Sequence, residues 1–112
     1  MNNDIKIPAR IKVGGQTIEV RKVERLDRNY LGECRVAEGV IEIAEKYNRN
    51  TPVSETCQIN SFLHEVVHAI LGTMGEDELN NNEKFVCTFS SFLTEIFLSA
   101  EYNTSNNNLS NN

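Results

Sequence analysis

Apolar and polar positions alternate in Ile11-Lys12-Val13 and again in Thr17-Ile18-Glu19-Val20-Arg21-Lys22-Val23, with Gly14-Gly15 between them. A period of two puts every second side chain on one face of a strand, and a Gly-Gly pair accepts the positive φ of a tight turn, so the spacing predicts a β-hairpin. Tyr30 to Val36 and Gly39 to Ala44 follow the same pattern on either side of Ala37-Glu38-Gly39. The first half of the chain therefore predicts an antiparallel meander of three or four strands.

The period changes after Asn48. Thr51-Pro52 has the form of a helix start, a capping hydroxyl followed by a proline whose missing N–H is not needed in the first turn. Ile59, Leu63, Val66, Val67 and Ile70 then fall at helical spacing and are expected to pack on the sheet, with termination between Leu71 and Gly75. Glu76-Asp77-Glu78 and Asn80-Asn81-Asn82 read as a polar connection. A second helix is predicted from Glu83 through Leu98, with Phe85, Phe89, Phe92 and Ile96 as a core stripe widened by Val86, Leu93 and Phe97. From Asn103 to Asn112 the chain is almost wholly Asn, Ser and Thr, too polar to offset the entropy of ordering, and a disordered tail is expected. The fold class is α+β: one domain over residues 1–102, a sheet followed by two helices, with the tail at 103–112.

The 112 residues suit one domain, and no apolar stretch approaches the roughly 20 residues that cross a bilayer. A net charge of −5, with the eleven Lys and Arg residues scattered, argues against a nucleic-acid partner. Cys34, Cys57 and Cys87 are odd in number, widely spaced and without a CxxC pair, so reduced thiols are expected rather than a disulfide frame. The N-terminus shows no basic segment leading into an apolar run, and the expected location is cytoplasmic.

Against this plain background stands His64-Glu65-Val66-Val67-His68, an HExxH pattern that uses both histidines of the chain. Two histidines placed at random would give this spacing with the intervening glutamate roughly once in five hundred sequences of this composition. Residues four apart lie on one face of a helix, so His64 and His68 can present two imidazole nitrogens to one Zn²⁺ ion, while Glu65 at the edge of that face can act as general base on a water. The competing interpretation is a helix that turns two histidines towards the core, with Glu65 as an ordinary solvated residue.

A catalytic zinc usually takes three protein ligands, and a third histidine is lacking. The helix carries the chain about 10 Å beyond the histidines by its end, at 1.5 Å per residue. Glu76, Asp77 and Glu78 would lie near that far turn. The next seven or so residues can span the distance back, which places Glu83 at the opening of the second helix as the expected third ligand. Cys57 and Cys87 share faces with His64 and Glu83 respectively and are read as packing residues.

With its strands before the motif, His64-Glu65-Val66-Val67-His68-Ala69-Ile70, and the downstream Glu83-Lys84-Phe85-Val86 opening an apolar helix, the chain resembles the small single-domain zincin metallopeptidases of the gluzincin group, a compact form common in phages and bacteria. The resemblance covers roughly residues 11 to 98, and HExxH is its specific part. It implies a minimal zincin-like fold, zinc held by His64, His68 and Glu83, and a water activated by Glu65 for hydrolysis of a peptide or protein substrate. It also implies that the strand before the motif helix, Gly39 to Ala44, pairs with an extended peptide. The chain departs from larger peptidases of the group in lacking a downstream histidine to stabilise the oxyanion; Tyr30, Tyr47 and Tyr102 are the alternatives. Two rival functions stand beside the peptidase: a zinc-stabilised or inactive protein-binding module, and a hydrolase that resembles peptide deformylase in taking Cys34, within Gly32-Glu33-Cys34, as third ligand.

Overall fold

The computed structural model describes residues 7–103. A four-stranded sheet comes first: β1 (Arg10–Val13), β2 (Gln16–Val23), β3 (Gly32–Arg35) and β4 (Val40–Ala44). Gly14 and Gly15, at φ 59° and 84°, make the two-residue turn that pairs Val13 with Gln16. Two short strands follow, β5 (Lys46–Tyr47) and β6 (Thr51–Pro52), and then the helices α1 (Glu55–Met74), α2 (Asp77–Asn80) and α3 (Glu83–Ser99). The α+β class and the order of sheet before helices agree with the sequence pattern. Of the Asn-rich tail, Asn103 alone lies within the described residues.

The sheet is mixed, however, where an antiparallel meander is expected from the alternation. Its order is β1-β2-β4-β3, with β2 and β4 parallel and β3 antiparallel to β4 at the edge. The physical reason lies in β4 itself. Val40, Ile41, Ile43 and Ala44 are all buried, so β4 is covered on both faces and belongs in the middle of the sheet, as near-continuous apolar strands with parallel partners do. The chain from Glu24 to Leu31 carries β3 past that central place to the edge, and β4 returns between its neighbours.

Helix α1 begins later than Thr51-Pro52 suggests. Those residues pair with β5, and the cap is Ser54, whose side chain accepts from the backbone N–H of Cys57 at 3.2 Å. The helix ends at Gly75, φ 76°, within the expected stretch, where Glu76 N–H bonds to Leu71 O at 2.9 Å. Ile59, Phe62, Leu63 and Ala69 pack with Ile18, Ile41 and Ile43 as the main core. Ile70, expected inside, is exposed.

Against α1, α3 turns a face made of Val86, Ser90 and Thr94, all buried, with Leu93 partly so. Together with Val67 and Leu71, Val86 forms a second small core. The Thr94 hydroxyl lies 3.0 Å from Asn60 Oδ1 and 2.8 Å from Ser90 O, which satisfies it inside the contact. The expected core stripe is thus displaced: Phe89, Phe92 and Ile96 face outward. Packing of α3 on α1 through this face sets the first turn of α3 beside the histidines of α1. No helix among the described residues is long and apolar enough to cross a membrane.

Candidate metal centre

α1 carries His64, Glu65 and His68 on its middle turns, along a cleft of about 690 Å³ that β3 walls on the other side. The contacts of Asn60 with Thr94 and of His64 with Cys87 set α1 and α3 antiparallel. Glu83, the first residue of α3, therefore returns to the level of the histidines, as the chain-length estimate expects. Asn82 fixes that helix start by accepting from Phe85 N–H at 3.0 Å.

The Glu83 carboxylate straddles the two imidazoles. Oε1 lies 3.4 Å from His64 Nε2 and Oε2 lies 3.2 Å from His68 Nε2. One ligand atom from each of the three residues falls within 4.8 Å of the others, the one such His, Cys, Asp or Glu group among the described residues. Burial, then the neighbouring His68, holds His64 below the usual imidazole pKa and so favours its neutral form. His68 Nδ1 lies 2.6 Å from Asn80 Oδ1, so a Nδ1–H donated to Asn80 leaves the Nε2 lone pair facing Glu83. An Nε2 atom facing a carboxylate either carries a proton and donates to it or, unprotonated, offers its lone pair to a cation that both can share. The 3.4 and 3.2 Å separations are close to the roughly 3.3 Å between neighbouring ligands of a tetrahedral ion with bonds of about 2.0–2.1 Å, while one atom from each of the three residues fits within 4.8 Å, so the group could hold a metal ion. The donors present fit zinc.

Glu65 points towards the sheet. It is 7% exposed, and its pKa is pushed up to about 7, chiefly by burial, with the His68 charge opposing and Glu83 and Glu33 adding to the rise. Gly32 makes room for it: a methyl group there would stand 3.0 Å from Glu65 Oε2 and 3.1 Å from Cγ. A glycine inside a strand often marks such a close approach, and Gly32 was visible in the sequence as one.

Other expectations are redistributed. Cys34 lines the cleft but is not among the three clustered ligands; burial, then Glu65, pushes its thiol up to about 11, away from the thiolate that binds metal. Cys57 and Cys87 are exposed rather than packed, and Cys87 Sγ stands 3.9 Å from His64 Nδ1. Of the three tyrosines, Tyr30 lines the cleft; Tyr47 sits in β5 and Tyr102 is 75% exposed beyond α3. Strand β4 cannot receive a peptide, because β2 and β3 take both of its edges. Among the described residues, the unpaired edge beside the cleft belongs to β3. Asn80 was missed in the polar run, although an Asn close before Glu83 was the available sign.

Comparisons of the chain with models of known protein families, with curated protein sequences and with solved structures return no match.

Proposed function

We propose that the protein is a zinc-dependent peptidase, with His64, His68 and Glu83 holding the metal and Glu65 as general base. The observation that carries this is the Glu83 carboxylate set against both Nε2 atoms at 3.4 and 3.2 Å, on a helix whose HExxH spacing supplies the base beside them. Zinc bound there would supply Lewis acidity and lower the pKa of a water towards about 7.

The chain's own residues supply the rest. Glu65, with a pKa near 7, is poised to accept a proton from the attacking water and to pass it to the leaving amine. β3 offers its open edge to an extended peptide, so the strand-addition role expected of β4 passes to Gly32–Arg35. Arg35 braces that edge, with Nη1 at 3.0 Å from Glu33 and 3.3 Å from Glu42 of β4. Tyr30, next to the start of β3, is the cleft tyrosine available to donate to the oxyanion. Three free cysteines accord with a reducing, cytoplasmic setting.

Comparing new protein N-termini in cells that express the wild type or Glu65→Gln tests the activity. The wild type should create N-termini that the variant does not, although both carry zinc. Indistinguishable profiles would leave a protein-binding module in its place.

A further inference from the structure

α3 turns its largest side chains away from the protein. Phe89, Phe92 and Ile96 are 47%, 59% and 60% exposed, and Phe85 stacks on Phe89 with ring centroids 5.5 Å apart. Phe85, Phe89, Phe92 and Ile96 follow one another at intervals of four, three and four, the spacing of a coiled-coil seam. No charged residue lies between Lys84 and Glu95 to interrupt it. Phe89, Phe92 and Ile96 together leave about 300 Å² of apolar surface in water, taking roughly 200 Å² for a whole aromatic residue. A contiguous patch of this size is often an interaction site.

We propose that a second copy of the chain covers this stripe, α3 against α3, antiparallel about a two-fold axis between Ser90 and Ser91. In that register Phe85 of one copy meets Ile96 of the other, and Phe89 meets Phe92. Charge selects the orientation. Lys84 and Glu95 flank the stripe on one side, and the two-fold brings Lys84 of each copy within about 3 Å, along the axis, of Glu95 of the other, at 1.5 Å per residue. Parallel pairing, whose two-fold runs along the helices, puts these charges of the two copies on opposite sides of the seam and lacks both contacts. A homodimer interface is about 65% apolar, so the stripe on two copies corresponds to roughly 900 Å² in total, within the range of weak interfaces below about 1,200 Å². The dimer is therefore reversible on dilution.

Sedimentation equilibrium of the full chain, from micromolar to millimolar concentration, tests this. The wild type should approach twice the chain mass of 12.7 kDa as concentration rises. Phe92→Glu, and independently Ile96→Lys at the other end of the stripe, should stay at 12.7 kDa with unchanged circular dichroism, since both side chains already face solvent. Lys84→Glu and Glu95→Lys should each weaken the dimer about tenfold, because two attractive contacts become repulsive, and the double variant should restore it. A wild type that is monomeric throughout, a dimer that survives both stripe variants, or a double charge variant that fails to recover would overturn the proposal.

Discussion

Replacing Glu65 by glutamine should stabilise the metal-free protein at alkaline pH and leave it unchanged in acid. Glu65 is 7% exposed, and burial raises its pKa from the usual 4.5 to about 7. The folded state thus holds this proton more tightly than the unfolded chain does. The resulting stability is complete below pH 4.5, declines as pH rises towards 7, and is absent above that, where a buried carboxylate must be kept charged. At about 1.4 kcal/mol per pKa unit, the penalty at pH 8 has a ceiling of about 3 kcal/mol. Glutamine has nearly the same shape and no charge to desolvate, so the variant escapes the penalty. For a domain of this size the gain corresponds to roughly 10–20 °C in melting temperature. His64 works in the opposite sense, since a lowered imidazole pKa gives stability that is lost as pH falls, but it is common to both proteins and cancels in their difference. Melting curves at pH 4 and pH 8 in the presence of a chelator measure that difference directly. Equal melting temperatures at pH 8, or a less stable variant, would refute the desolvated carboxylate.

Gly32→Ala should reduce peptide hydrolysis by up to about tenfold, because the new methyl group would meet the Glu65 carboxylate at 3.0 Å and push it aside by less than the roughly 1 Å that costs a hundredfold, while zinc content stays unchanged; kcat and elemental analysis on one preparation check both. Asn80→Ala removes the acceptor 2.6 Å from His68 Nδ1 and should weaken zinc binding about 10- to 100-fold in a chelator competition. Ser54→Ala should cost about 1 kcal/mol in a denaturant titration through loss of the cap on Cys57 N–H, and Thr51→Ala much less, which separates the two candidate starts of α1.

What could be read from the sequence was local or fixed by chain length. The i, i+4 pair of histidines, the Gly14-Gly15 hairpin and the end of α1 near Gly75 each depend on neighbours in the chain. Glu83 was reachable because a helix of known rise and a short connection leave few places for the return. The place of β4 depended on pairing between distant segments, and its one sign was burial on both faces, written as Val40-Ile41-Glu42-Ile43-Ala44. For α3, apolar spacing announced a face that avoids water without saying what covers it. Ser90 and Thr94, ordinary surface types, took the inner face, where their hydroxyls bond to Cys87 O, Ser90 O and Asn60. Asn80 and Gly32 read as a turn residue and a strand residue until His68 and Glu65 were found beside them.

The most direct test of a zinc site built from His64, His68 and Glu83 is the zinc content of purified protein, by elemental analysis of the wild type, Glu83→Ala and Cys34→Ala after equilibration with limiting zinc. About one zinc per chain is expected in the wild type and in Cys34→Ala, with a large loss in Glu83→Ala. A wild type without near-stoichiometric zinc, or loss confined to Cys34→Ala, would contradict the assignment.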